Sequence, residues 1–338
     1  MKRLAEYLRR FKRGYTDVLG LDVAGSGIKA VRLRRVNEKL SVVAAEILPV
    51  TPLPETLMES TGAMVLPKPL RARYVAMATS EPGSIVKLLT IPAHSDKTTD
   101  VHVHELMGMS EAAEYRLSYE QVASSRTEVK VLAVGMPLQG VQSLCDRFPV
   151  GTPAPCSIEV SGLAAMTAHA WGPGRQHLDD CLAVVDFGSR MTLVSFFNKG
   201  TMVMIRKFDV GATSILKKLQ DSLGVDGDVA MGILSDGSFD ISQIVHQTME
   251  SFLQQLIISW DFVERRENTR IARLYACGGG ASISCWAHEI QGVTGQEPVL
   301  WSPFDGLVAS EELLGRWKGQ ESRFAAAVGV ALGVMEAR

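Results

Sequence analysis

The chain has 338 residues, 46% of them hydrophobic and 21% charged, with 30 glycines and a formal net charge of -2. This is enough length for two lobes with their own cores; the composition excludes a disordered chain, and the charge gives no overall pull toward nucleic acid. The 5 cysteines form no C-x-x-C pair and read as reduced thiols of a cytoplasmic protein, and neither a membrane span of about 18 apolar residues nor the apolar core of a signal peptide is expected.

At the start, Lys2, Arg3, Arg9, Arg10, Lys12 and Arg13 face a single acid, Glu6, while Leu4, Leu8 and Phe11 recur at helical spacing. Residues 1–16 therefore read as a basic amphipathic tail suited to an anionic membrane surface, with a solvated tail as the alternative. The run Val18–Leu33 is an apolar strand, Asp22 near its end, a small-residue turn (Gly25-Ser26-Gly27) and a second β-rich run. A β-α-β-β stretch follows, with strands at Ile85–Leu89, Arg116–Val122 and Val129–Gly135 and a helix at Lys97–Met109. Helices are predicted from Pro137 to Phe148 and from Ile158 to His169, the latter rich in small residues and carrying Glu159.

The run Cys181–Phe196 then repeats the first hairpin, with Asp186 before Phe187-Gly188-Ser189, about half the chain after Asp22. Ala212–Leu223 reads as a helix. Ile241–Asn268 places Ile241, Ile244, Val245, Phe252, Leu253, Leu256, Ile257, Trp260 and Val263 on one helical face. A strand at Ala272–Cys277 runs into Gly278-Gly279-Gly280, and an Ala/Gly-rich helix closes the chain at Phe324–Met335. Alternating strands and helices in both halves define an α/β class.

Two matched hairpins and a late glycine triplet point to a nucleotide cleft. Gly/Ser turns bring backbone N–H groups close to phosphate oxygens, and Ser26, Ser189 and Thr192 add hydroxyl donors. Asp22 and Asp186 would reach Mg²⁺ through water, because magnesium dehydrates reluctantly. A single such hairpin would carry little weight, since Gly/Ser turns also simply reverse strands. Lys29 lies on a strand whose alternation leaves its side chain facing either phosphate or solvent. Glu159 reads as a helix N-terminal acid favoured by the dipole. His102 and His104, two apart, complete no metal site.

The order of these segments resembles the actin/Hsp70-like ATPase superfamily. There the Asp22 hairpin would be phosphate-1, the Glu159 helix connect-1, the Asp186-Phe187-Gly188 hairpin phosphate-2, Gly278–Gly280 the adenosine motif and the helix around Gly329 connect-2. Within that superfamily the chain resembles the PilM family of type IV pilus assembly in the runs Asp22–Val31, Val86–Pro92, Asp209–Ala212 and Val299–Phe304. It departs from the pattern at Ala24, where the family has Gly, at Ala212 in place of a second Gly, and at Ala281 before Ser282.

The resemblance implies an actin-like, ribonuclease H-like duplicated two-lobe ATPase fold with an inserted β-α-β-β subdomain. Expected boundaries are 17–84 with 139–178 for the first lobe, 85–138 for the insertion, and 179–338 for the second lobe, which has a helical part at about 211–270. ATP and Mg²⁺ would be held by Asp22, Gly25, Ser26, Gly27, Lys29, Asp186, Gly188, Ser189, Arg190, Thr192, Gly278, Gly279 and Gly280. Glu159 would orient an attacking water, as the matching acid does in related ATPases, and hydrolysis would be weak or absent. The implied role is a cytoplasmic scaffold peripheral to the inner membrane, binding the N-terminal cytoplasmic tail of a PilN-like membrane protein, with self-association open and no nucleic-acid partner. A small-molecule kinase of the same superfamily, a nucleotide-free pseudo-ATPase scaffold and a filament-forming actin-like protein remain alternatives.

Overall fold

A computed structural model describes residues 15–24, 27–49, 63–81, 83–93, 100–109, 114–148, 151–236 and 239–336. The basic tail through Arg13, and Gly25 and Ser26 of the first turn, lie outside the described residues. In chain order, β1 (Asp17–Ala24), β2 (Gly27–Val36), β3 (Lys39–Leu48) and β4 (Tyr74–Thr79) come first. The insertion holds β5 (Ile85–Pro92), the helix Asp100–Met107, β6 (Tyr115–Ser124) and β7 (Glu128–Pro137). Then come β8 (Ala154–Val160), β9 (Cys181–Phe187), β10 (Thr192–Asn198), β11 (Thr201–Phe208), β12 (Arg273–Cys277) and the short β13 (Val299–Leu300).

Two five-stranded sheets share one plan. Their orders are β3-β2-β1-β4-β8 and β11-β10-β9-β12-β13. In each, the first three strands run antiparallel and the last two join in parallel. The third sheet, β5-β7-β6, is antiparallel.

The chain forms two compact units, one from residues up to Thr79 with Gln142–Pro173 and Ser302–Arg338, the other from Ser80–Val141 with Gly174–Trp301. The closing segment therefore departs from the expected boundary: Ser302–Arg338 belongs to the first unit. Its helix, Ala325–Glu336, packs on β1, β2 and β4 and against the helix Ser161–Trp171. Gly20 and Gly329 permit this approach, because a Cβ on the first would overlap the Ala327 carbonyl and on the second the Ala164 carbonyl. The opposite face of the sheet buries Leu19, Leu21, Val23, Val75 and Met77 against Leu144 and Phe148.

In the second unit, the helix Ser242–Glu267 buries Val245, Met249, Phe252, Leu253, Leu256, Trp260 and Val263, the stripe expected of an amphipathic helix. Ile244 and Ile257 pack partly buried beside it. Trp286 is fully buried and stacks on Phe187 with ring centroids 4.9 Å apart, so the strand bearing Asp186 ends in an aromatic anchor.

At the surface, His246 Nδ1 lies 2.6 Å from Glu289 Oε2 and links the long helix to the helix Ser284–Thr294. The hydrogen bond to Glu289, then its charge, raises the His246 pKa above its ordinary 6.5, with Glu250 adding to the effect. A raised folded-state pKa stabilises below the unfolded value and loses that contribution as pH rises through the folded one. The melting temperatures of the native protein and His246→Gln should differ most below the ordinary histidine value of 6.5 and converge as pH rises past the raised folded-state value. A difference that grows with pH would contradict this linkage.

Candidate functional site

In the first unit the candidate residues gather at the carboxyl ends of parallel strands, where open α/β sheets place ligands. Asp22 on β1 pairs across to Lys29 on β2 and in parallel to Ala78 on β4, which in turn pairs with Glu159 on β8. Cross-strand partners point to one face, so Lys29, Asp22, Ala78 and Glu159 form a row. Two strand spacings separate the carboxyls, about 10 Å.

Asp22 and Lys29 are both buried, which decides the orientation left open by the sequence: Lys29 faces inward beside Asp22. Its Nζ donates to the Gly27 carbonyl at 3.4 Å. Asp22 Oδ1 accepts from Ser161 Oγ at 2.6 Å. Burial lifts the Asp22 pKa, while Lys29 and the Ser161 hydroxyl oppose the rise. Ser161 is the residue sequence reasoning missed; it opens the helix Ser161–Trp171, and only the tertiary fold brings it to Asp22. Gly27 holds φ at +115°, a conformation natural to glycine, and Ala24 is buried at the strand end.

Glu159 is corrected from helix to strand. The β-branched pair Ile158 and Val160 flanks it, and β8 pairs with β4 through Val160, so the helix begins only at Ser161. Glu159 is thus no helix-capping acid. Burial raises its pKa to about 7, so near neutral pH it divides between acid and carboxylate.

In the second unit Asp186 lies near the end of β9, paired with Leu193 on β10 and Cys277 on β12. The turn Gly188–Met191 is closed by the Gly188 N–H donating to the Met191 carbonyl at 3.0 Å. Gly211 packs under this turn, with a Cβ position only 2.6 Å from the Ser189 carbonyl. The Ser189 hydroxyl is buried and has no hydrogen-bond partner among the described residues, an uncommon condition that suits an incoming acceptor. Arg190 beside it is half-buried. Thr192 is not available in the same way, because its Oγ1 donates to the Val210 carbonyl at 2.7 Å.

The triplet Gly278–Gly280 closes against the end of β9. Gly278 has φ +99°, and a Cβ there would lie 2.5 Å from both Asp186 Oδ1 and the Phe187 carbonyl; one on Gly280 would lie 2.5 Å from Phe187 Cδ1. The Gly280 N–H donates to the Phe187 carbonyl at 2.8 Å. Two of the three glycines are therefore required by packing, and Gly279 is the one left partly exposed. Ala281, where the resemblance led us to note a departure, is buried in the core.

These groups fit a nucleotide by their chemistry. The unpartnered Ser189 hydroxyl and the Arg190 cation suit phosphate oxygens, and Asp186 suits the water shell of magnesium. Among the described residues no group of three or more His, Cys, Asp and Glu side chains could hold a metal ion alone, and no helix is long and apolar enough to cross a membrane.

Two sheets of one strand order, each with an aspartate near the end of its central strand, and a β-α-β-β insertion between β4 and β8 of the first define the duplicated actin-like ATPase fold. The chain belongs to the family of the type IV pilus assembly protein PilM, whose sequence profile matches residues 114–335. A solved PilM–PilN type IV pilus biogenesis complex contains a chain similar in fold, with TM-score 0.74 and 17% identity over 94% of this chain and 98% of that one. Weaker likenesses are to the ethanolamine utilization protein EutJ from Carboxydothermus hydrogenoformans (TM-score 0.46, 14% identity, 98% and 96% covered) and to a Bacteroides thetaiotaomicron protein with an actin-like ATPase fold (0.47, 8%, 87% and 94%). No curated protein matches the sequence.

Proposed function

We propose that the chain is an ATP-binding scaffold of a type IV pilus assembly platform that binds nucleotide with weak or no turnover. The observation that carries nucleotide binding is the Gly188–Met191 turn, with its buried, unpartnered Ser189 hydroxyl next to Arg190 and Asp186. Ser189, Arg190 and the backbone of Gly279 would contact the nucleotide from the second unit, and Asp186 would hold Mg²⁺ through water. Bound ATP would supply a polyanion that orders this turn. The first unit by itself carries groups of the same chemistry: the Lys29 cation, the Gly27 backbone and the Asp22 carboxylate.

Weak turnover rests on how the first unit uses its acids. Asp22 is already engaged by Ser161 and neighboured by Lys29, and burial raises the Glu159 pKa to about 7, which disfavours its ionised form. A water-orienting carboxylate acts best when ionised and within hydrogen-bond reach. Family membership and the fold shared with the PilM–PilN complex support a cytoplasmic protein at the inner membrane whose partner is the N-terminal tail of a PilN-like protein.

Calorimetric titration with Mg·ATP tests the nucleotide reading. The native protein should bind in the micromolar range, and Asp186→Ala, still folded by circular dichroism, should bind at least about tenfold more weakly. No detectable binding by the native protein would leave a nucleotide-free scaffold. A synthetic PilN-type tail peptide, titrated with and without Mg·ATP, tests the partner separately.

A further inference from the structure

The end of the first unit's sheet opposite Asp22 collects exposed cations. Asp17 at the start of β1 pairs with Arg34, and Val18 beside it pairs with Leu33 on β2 and with Tyr74 on β4. Arg34 and the residues leading into Tyr74 therefore stand together at this end. Arg32 Nη1 donates to the Pro69 carbonyl at 3.1 Å and ties the short helical turn Lys68–Leu70 to the same strand. Lys39, Lys68, Arg71 and Arg73 are exposed and form no ion pair among the described residues. The acids here are largely spent: Asp17 meets Arg32 at 2.6 Å and Arg34 at 3.5 Å, and Glu336 is taken by Arg35. Two exposed acids remain, Glu38 in the β2–β3 turn and Asp146 beside Arg147, whose carbonyl accepts from the Met64 N–H. The end is net positive.

Apolar side chains stand out between these cations. Val65, just before the Lys68–Leu70 turn, is 87% exposed, and Val36, at the end of β2, is 50% exposed. Leu66 and Leu70 anchor the segment in the core, which leaves Val65 projecting. A soluble polyanion makes no use of projecting valines, whereas an anionic bilayer takes cations at its headgroups and apolar side chains at the acyl boundary. Tyr15 packs edge-on against Tyr74 with ring centroids 4.6 Å apart. That contact fixes, at this same end, the point where the sequence bearing Lys2, Arg3, Arg9, Arg10, Lys12 and Arg13 joins the fold. Asp22 lies five residues beyond Asp17 on β1, about 17 Å away.

We propose that this end of the first unit is itself a membrane-contact surface. Arg34, Lys39, Lys68, Arg71 and Arg73 meet the headgroups of an anionic bilayer, and Val36 and Val65 reach its acyl boundary. The folded unit thus adds its own contact to whatever the basic tail makes, and the Asp22 end of β1 points away from the lipid. This inference goes beyond the nucleotide and PilN readings, which the calorimetric titrations test apart from it.

The test is co-sedimentation of the full chain with vesicles of phosphatidylglycerol and phosphatidylcholine, beside vesicles of phosphatidylcholine alone, with melting curves as folding controls. The native protein should bind the anionic vesicles, leave them as salt rises, and ignore the neutral ones. Lys68→Gln/Arg73→Gln, which keeps every residue of the tail, should bind at least about tenfold more weakly, since each cation near the surface is worth about fivefold. Val65→Ser should weaken binding roughly threefold with the salt dependence unchanged. A folded double variant that binds like the native protein overturns the inference and leaves the tail as the lipid contact. Heparin bound as tightly as the vesicles, with Val65→Ser without effect, makes the face a polyanion site and overturns it too. Native protein that stays in solution beside anionic vesicles overturns it outright.

Discussion

Gly329→Ala is expected to destabilise the first unit by about 3 kcal/mol or more. The methyl group would overlap the Ala164 carbonyl where the helices Ala325–Glu336 and Ser161–Trp171 cross. The obstacle is backbone, so no rotamer change relieves it; the helices must separate, and the packing of Ala164, Ala165 and Ala327 is lost with them. Denaturant unfolding measures the loss directly. Gly292→Ala, on the exposed face of the helix Ser284–Thr294 with nothing within 4 Å, should instead gain up to about 1 kcal/mol from helix propensity. Equal effects at the two positions would show that helix crossing is not what Gly329 serves.

Gly278→Ala should damage the candidate site most. Alanine at φ +99° carries about 1 to 3 kcal/mol of backbone strain, and its methyl group would press on Asp186 Oδ1 and the Phe187 carbonyl. Asp186 can only yield by leaving its place at the end of β9, so Mg·ATP affinity should fall at least about tenfold. Melting temperature and dissociation constant measured together separate the two consequences. A folded variant with native affinity would place the nucleotide elsewhere than this turn.

Both glycines were marked in the sequence, yet for reasons the structure partly revises. The triplet Gly278–Gly280 reads as bare backbone offered to adenine and ribose; in the fold, Gly278 and Gly280 are bare because Asp186 and Phe187 occupy the space. The helix around Gly329 reads as part of the second lobe because it follows that lobe in the chain. It belongs to the first unit because the Gly20 and Gly329 surfaces are complementary there, a match between residues some 300 positions apart that no local pattern encodes.

Local signals did determine a great deal. Asp22 and Asp186 each precede a Gly/Ser turn in matching apolar runs, and period-two and period-3.6 patterns need no tertiary information, so the duplication, the β-α-β-β insertion and the long amphipathic helix were legible. What escaped was set by pairing. Strand β4 is short and buried between β1 and β8, while β8 is a short strand at the sheet edge, and short runs of this kind are hard to tell from a helix segment by periodicity. Glu159 therefore reads as helical from its neighbours in the chain, although it lies on β8.

The chemistry divides in the same way. The sequence by itself determined which residue types stand at the strand ends and turns, because strand, turn and glycine are properties of a few consecutive residues. Only tertiary structure decided which hydroxyls remain free to bind, giving Thr192 to the Val210 carbonyl and leaving Ser189 without a partner. It alone turned Lys29 inward, set Ser161 on Asp22 and raised Glu159 to about 7, since burial and partnership are made by residues distant in the chain.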